Sequence, residues 1–136
     1  MTPAIAAVAL YTGLNAFIYL ALTANCGRAR ARARVSIGDG GDTALIRAMR
    51  GQANWVENTP ITLLMLALLA TLAAPLWAIH GLGIMVTSGR ALHAIHFIQA
   101  DAPGWQRAAG AMFSLLSTTA CALGLVGYGI FGMVTI

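Results

Sequence analysis

Four apolar segments alternate with short polar links along the chain. The apolar segments run from about Pro3 to Ala24, Thr59 to Ala73, Leu76 to Ile98 and Ala108 to Ile136. A polar extension with helical periodicity, starting near Thr43, precedes the second segment. About 20 apolar residues span a bilayer, and each segment reaches that length, the second with its extension. The pattern predicts four transmembrane helices at about 3–26, 43–74, 76–99 and 106–135.

Composition supports the same architecture. Of 136 residues, 59% are hydrophobic and 9% are charged, and the mean hydropathy is +0.77. A soluble domain is about 25% charged, so the natural solvent of this chain is lipid. We find no soluble domain, internal repeat or long linker. The expected fold class is therefore an all-α integral membrane four-helix bundle that forms a single domain over residues 1–136.

The links, the cysteines and the glycines lead to predictions about local structure. The loop "VSIGDGGDT" breaks helix and strand, and Asp42 or Thr43 can cap the helix that follows it. Cys26 and Cys121 lie in apolar stretches and are expected to be buried free thiols. Close helix contact is expected at the glycines of the fourth segment, because small residues let backbones approach. These are Gly124, Gly127, Gly129 and Gly132.

The charge is positive and unevenly placed. The net charge of +4 comes from arginine without lysine, and four of the eight arginines form the run "RARARAR" from Arg28 to Arg34. A nucleic-acid partner is excluded because the chain lacks a soluble basic face. Beside a hydrophobic helix, the run indicates topology or contact with anionic lipid head groups. With Arg107 near the third link, it predicts that the first and third links are cytoplasmic and both termini are outside.

A polar stripe enters the second apolar segment. Arg47, Arg50, Asn54 and Glu57 are spaced by three, four and three residues, so they share a helix face within roughly 80° of arc. An ionised group facing lipid at depth costs several kcal/mol. The stripe must therefore face other helices or a wet cavity.

The third segment repeats the pattern with Arg90, His93 and Phe97. Arg90 keeps its proton and needs an anion, and Glu57 is the acidic residue that lies in or beside an apolar segment. The spacing predicts a Glu57–Arg90 contact. The three histidines lack metal-site spacing and companion ligands, so no metal is assigned.

Two interpretations of the stripes stay open for any single residue: interhelical adhesion and ligand binding. The whole set favours a ligand, because several arginines face one glutamate near the predicted cytoplasmic boundary. Guanidinium groups match carboxylates in bidentate fashion, which indicates a small carboxylate-bearing anion. Gln52 and Asn54 add donors and acceptors for peptide-like groups.

These residues resemble a known family. In "RAMRGQANWVENTP", the spacing of Arg50, Asn54, Glu57 and Pro60 resembles the signature of the MAPEG family, membrane-associated proteins of eicosanoid and glutathione metabolism. "GDGGD" and "GRALHAIHF" are similar to bacterial members, and the resemblance extends over nearly the whole chain.

The resemblance implies a homotrimer of the bacterial inner (plasma) membrane that binds glutathione as co-substrate in cytoplasmic clefts between subunits. Membrane lipid would surround it, and a lipophilic electrophile would arrive from the bilayer. Together with the stripe, it implies these glutathione-binding candidates: Arg28 or Arg30 from the next subunit, Arg47, Arg50, Gln52, Asn54, Glu57, Arg90 and His93.

The resemblance implies glutathione transferase activity, and peroxidase activity in addition. Arg107 lies near where catalytic members carry an arginine that stabilises the glutathione thiolate. It could equally be a topology or head-group arginine. Phe97 departs from the tyrosine of several relatives and donates no hydrogen bond, so the residues support glutathione binding better than catalysis. The alternatives are a non-catalytic lipid- or anion-binding membrane protein, a small four-helix transporter and a purely structural trimer.

Overall fold

The computed structural model describes residues 1–134 of the chain. Its four α-helices run Pro3–Ala33 (α1), Thr43–Thr71 (α2), Leu76–Ile98 (α3) and Gly104–Val134 (α4), and the described residues contain no strand. The predicted all-α four-helix class is confirmed. The expected end of the last helix at residue 135 lies outside the described residues.

The first helix is longer than predicted. α1 continues to Ala33 rather than ending near residue 26, so Arg28, Arg30 and Arg32 belong to the helix and not to a link. Alanine and arginine are both strong helix formers, and their alternation extends the helix until Arg34 turns to φ 56°, ψ 38°. At 1.5 Å per residue, 31 residues span about 46 Å. This exceeds the roughly 30 Å hydrocarbon core, so the arginine turns can reach beyond it.

Side-chain caps fix where the helices begin. Thr2 Oγ1 accepts from the amide of Ile5 at 3.3 Å, with Pro3 at the first helical position. Asp42, not Thr43, caps α2, since its Oδ1 accepts from the amide of Leu45 at 2.7 Å. These caps satisfy amide hydrogens that have no helical partner.

The two helices that carry the polar stripes lie in the middle of the bundle. α2 and α3 contact each other and also both outer helices, whereas the described parts of α1 and α4 do not touch. Among the described helices, α1 and α4 are long and apolar enough to cross a membrane, and their most apolar 18-residue stretches have mean hydropathies of 1.8 and 1.7. The charged stripes are thus carried by the helices with the most protein neighbours.

The core divides into an apolar half and a polar half. We call the end where α1 and α3 finish and α2 and α4 begin the basic end, because it carries the arginine run and Arg107. Away from it lies an apolar core of Ala7, Val8, Tyr11, Leu66, Leu69, Ala70, Ala74, Ile79 and Cys121. Both cysteines are buried and free, as predicted. Toward the basic end, buried polar side chains include Arg90, His93, His96 and Ser114.

α3 and α4 approach each other backbone to backbone at two glycines. A Cβ added to Gly110 would lie 2.6 Å from the carbonyl oxygen of Gly89 and 2.8 Å from the amide nitrogen of His93. Within the subunit, the close contact expected at the far end of α4 is absent at three positions, since a Cβ on Gly127, Gly129 or Gly132 would meet nothing within 4 Å. Only a backbone without side chains can make the Gly89–Gly110 contact.

We expect Gly110→Ala to lower the free energy of unfolding by about 1–3 kcal/mol, the usual cost of overpacking a close contact. The obstacle is backbone, so no side-chain rotation can relieve it. Thermal unfolding in detergent, followed by circular dichroism, measures the change.

Gly129→Ala is the matched control, because its new methyl group enters open space. Alanine in a helix interior is favoured over glycine by roughly 0.5–1 kcal/mol, so this variant should be unchanged or slightly more stable. Equal stability of the two variants would contradict the close crossing.

Candidate functional site

A cavity of about 590 Å³ opens between α2, α3 and α4 toward the basic end. Its wall consists of Arg50, Ala53, Asn54 and Glu57 from α2, His93 and Phe97 from α3, and Arg107, Ala108 and Ala111 from α4. We call it the main cavity. It brings together five of the predicted binding or catalytic residues: Arg50, Asn54, Glu57, His93 and Arg107.

The α2 wall follows from helical spacing and one close contact. Arg50 and Glu57 are exposed and Asn54 is half-buried between them. Gly51 lies against α3, where a Cβ would be 2.7 Å from Cβ of Phe97. The glycine lets α2 approach α3 and turns the neighbouring polar face toward the space beside it.

The α3 and α4 walls are aligned by the glycine crossing. His93 is 6% exposed, and its ring centroid is 4.9 Å from that of Phe97. Gly110 lies against the backbone of His93, and Arg107 precedes it by nearly one turn of α4. The crossing therefore places Arg107 on the same cavity as His93.

Arg90 does not pair with Glu57, and that prediction is wrong. Its Nη1 donates instead to Oδ1 of Asn54 at 2.8 Å, while Glu57 is exposed on the main cavity. Asn54 lies nearly one turn before Glu57 and meets the guanidinium first. Arg90 is only 4% exposed and lies on a second, smaller cavity rather than on the main one.

Arg47 also lies away from the main cavity, although it shares the α2 stripe. Its Nη2 donates to the carbonyl oxygens of His96 and, at 3.2 Å, Gln99. Its guanidinium carbon is 5.7 Å from the ring centroid of Phe97. Carbonyls at a helix C-terminus lack helical donors, so Arg47 satisfies the end of α3 and steadies Phe97.

The remaining candidates have contacts elsewhere in the subunit. Gln52 Nε2 donates to Oγ1 of Thr23 at 3.0 Å, which joins α2 to α1. Arg30 Nη1 donates to the carbonyl oxygen of Gly38 at 2.8 Å and so folds the first loop back on α1. Arg28 is exposed on α1. None of the three lines the main cavity of its own subunit.

Sequence reasoning missed the polar residues of α4. Ser114 and Thr118 are one turn apart in an apolar segment, and Thr118 Oγ1 lies 2.6 Å from Oγ1 of Thr62 on α2. Hydroxyls at i and i+4 share a helix face, so this spacing was the available signal. With Asn58 they line the second cavity.

The main cavity can attract and orient an anion. Two guanidinium groups, Arg50 and Arg107, face one carboxylate, Glu57, and the buried His93 closes the inner wall. Because the lining residues come from three helices, the packing of α2, α3 and α4 sets the shape of the space that a ligand must fill. The carboxylate adds a place for a positively charged group on the same ligand.

Comparison with known proteins identifies the family of the chain. A model of the MAPEG family matches residues 8–127. The chain is similar to the "Inner membrane protein YecN" of Escherichia coli K12 and of Escherichia coli O6:H1, with 34% identity over 85 residues in each case. The match covers 62% of this chain and 65% of each relative, and no solved structure matches. Since the family pattern extends over most of the described helices, this protein is a membrane protein that belongs to the MAPEG family.

Proposed function

We propose that this protein is a glutathione transferase of the bacterial inner membrane, which joins glutathione to a lipophilic electrophile. The observation that carries the proposal is the main cavity, where Arg50, Asn54, Glu57, His93 and Arg107 meet. A lipophilic partner would reach this cavity from the bilayer along the apolar helix surfaces.

Glutathione matches the polar groups of the cavity. It carries two carboxylates, an ammonium group and two peptide units. Arg50 suits a carboxylate because its guanidinium can donate two parallel hydrogen bonds, and Glu57 suits the ammonium group. Asn54 can meet a peptide unit. The volume of about 590 Å³ falls within the roughly 300–1,000 Å³ typical of small-molecule sites.

Arg107 is the group assigned to the chemistry. The thiolate, not the thiol, is the nucleophile, and an arginine beside the sulfur stabilises its negative charge. In the transfer, the sulfur loses its proton to solvent, a sulfur–carbon bond forms, and the leaving group departs with its bonding electrons. Arg107 is exposed on the cavity wall, where an incoming ligand can reach it.

The same thiolate supports peroxidase activity toward a hydroperoxide. Attack on the terminal oxygen breaks the oxygen–oxygen bond and yields an alcohol and a glutathione sulfenic acid. A second glutathione then forms the disulfide and releases water. The hydroperoxide is reduced and two glutathione thiols are oxidised.

A trimer would complete the site. In a single subunit Arg50 and Glu57 are exposed, and charged groups in a membrane helix are costly when they face lipid. A neighbouring copy would cover them and enclose the ligand. The exposed Arg28 of that neighbour could reach a glutathione carboxylate, whereas Arg30 is already held by the first loop.

We expect Arg50→Ala to weaken glutathione binding by about 10- to 100-fold, because a hydrogen bond to a charged group contributes about 1.5–3 kcal/mol. Isothermal titration of the purified protein in detergent measures the affinity. Arg32→Ala is the control, since Arg32 is exposed on α1 and lines no part of the cavity. The same affinity in wild type and Arg50→Ala would refute the proposed site.

We expect Arg107→Ala to bind glutathione within a few-fold of the wild type and to lower turnover with a reactive aryl halide by roughly 10²–10³-fold. The ultraviolet difference spectrum of bound thiolate should weaken in parallel. Unchanged turnover would remove Arg107 from the chemistry. Binding without turnover in the wild type would favour a non-catalytic anion- or lipid-binding member of the family.

We expect native mass spectrometry from neutral detergent to show a protein mass three times the 14.1 kDa of one chain. Covering the exposed Arg50 and Glu57 requires a neighbour, so dissociation to single chains should accompany loss of glutathione binding. A single chain that binds glutathione with full affinity would disprove the shared site.

A further inference from the structure

A second cavity of about 110 Å³ lies beside the main cavity and deeper in the bundle. Its wall consists of Asn54, Asn58, Arg90, Ala111, Ser114, Leu115 and Thr118. Asn54 and Ala111 line both cavities. Arg90 lies eight residues before the end of α3, which is about 12 Å along the helix axis, so the cavity is well inside the bundle.

Arg90 is a buried cation without an acidic partner among residues 1–134. It is 4% exposed, and the hydrogen bond it makes there runs from Nη1 to Oδ1 of Asn54. Its Nε is buried without a partner. Nη2 also makes no hydrogen bond within residues 1–134, so the guanidinium keeps unused donors, and a guanidinium pairs strongly with a carboxylate.

The hydroxyls and Asn58 on the wall donate hydrogen bonds within the bundle. The hydroxyl of Ser114 donates to the carbonyl oxygen of Gly110, and that of Thr118 donates to the carbonyl oxygen of Ser114, both at 2.8 Å. Asn58 Nδ2 donates to the carbonyl oxygen of Asn54 at 2.9 Å. The guanidinium is left as the main donor toward the cavity, which favours an acceptor that carries negative charge.

The volume of the second cavity and the apolar residues near its opening limit the kind of ligand that it can bind. A volume of about 110 Å³ holds a few water-sized groups, each about 30 Å³. A carboxylate fits, but a long tail must remain outside. At the rim Leu115 is 61% exposed, and Ile61 and Leu64 on α2 are 49% and 55% exposed. An apolar tail can lie along this outer surface in lipid.

We infer that the second cavity binds a carboxylate on the guanidinium of Arg90, supplied by a small free acid or by the head group of a fatty acid. This site is separate from the main cavity and does not depend on the proposed transferase activity. Its occupant neutralises a guanidinium that the carboxylates of residues 1–134 leave unpaired.

The test uses the full chain in a neutral detergent at pH 7 with two probes, acetate and laurate, each labelled with carbon-13 at the carboxyl carbon. Carboxyl resonances are followed by nuclear magnetic resonance as the probe is titrated. We expect saturable binding of at least one probe, weakened at least ten-fold in Arg90→Gln. Binding of both probes assigns a general carboxylate site, and binding of laurate alone assigns a fatty-acid site.

A second pair of variants keeps the test decisive if Arg90→Gln does not fold. Leu115→Trp places a larger ring at the exposed rim and should weaken binding, whereas Leu116→Trp, on an exposed position outside the cavity wall, should not. Arg50→Ala should retain binding, because Arg50 lines only the main cavity.

Three results would overturn the inference. One is the absence of saturable binding by either probe. Another is equal laurate affinity in the wild type, Arg90→Gln and Leu115→Trp. The third is equal competition by methyl laurate, which has no negative charge and would indicate an apolar surface instead of a carboxylate site.

Discussion

The backbone contact between Gly89 and Gly110 is the constraint on which the polar half of the bundle depends. It brings α4 against the backbone of His93, so that Arg107, nearly one turn before Gly110, reaches the cavity lined by α2. A side chain at either glycine would move the two helices apart. The distance between the candidate catalytic arginine and the ligand-binding face is therefore set by two residues that carry no chemistry.

The surrounding lipid explains why the polar side chains lie between helices. α1 and α4 are apolar enough to face lipid, whereas α2 and α3, which carry the two polar stripes, have protein neighbours on more sides. A buried polar group left unsatisfied in hydrocarbon costs several kcal/mol, so polar side chains are favoured where neighbouring helices offer partners. The bundle thus keeps the polar stripes of α2 and α3 between helices and gathers most of its arginines toward the basic end.

Helical periodicity was enough to predict the fold and the shared face of Arg50, Asn54 and Glu57, because residues three and four apart lie together on any α-helix. It could not predict partners across helices, which depend on rotation and depth. For this reason the Glu57–Arg90 pair was wrong, and Arg47 satisfies the end of α3 instead of lining the cavity. The length of α1 was underestimated because charge was taken as the end of the helix.

The side-chain amide of Asn54, which lines both cavities, is held in one orientation. An arginine can only donate hydrogen bonds, so the bond from Arg90 requires the amide oxygen of Asn54 to point toward α3. The amide nitrogen must then turn the other way. A ligand that meets Asn54 in the main cavity therefore encounters a donor and must offer an acceptor, such as a peptide carbonyl. Arg90, which does not line the main cavity, thereby determines which atoms of a ligand in that cavity can bind to Asn54.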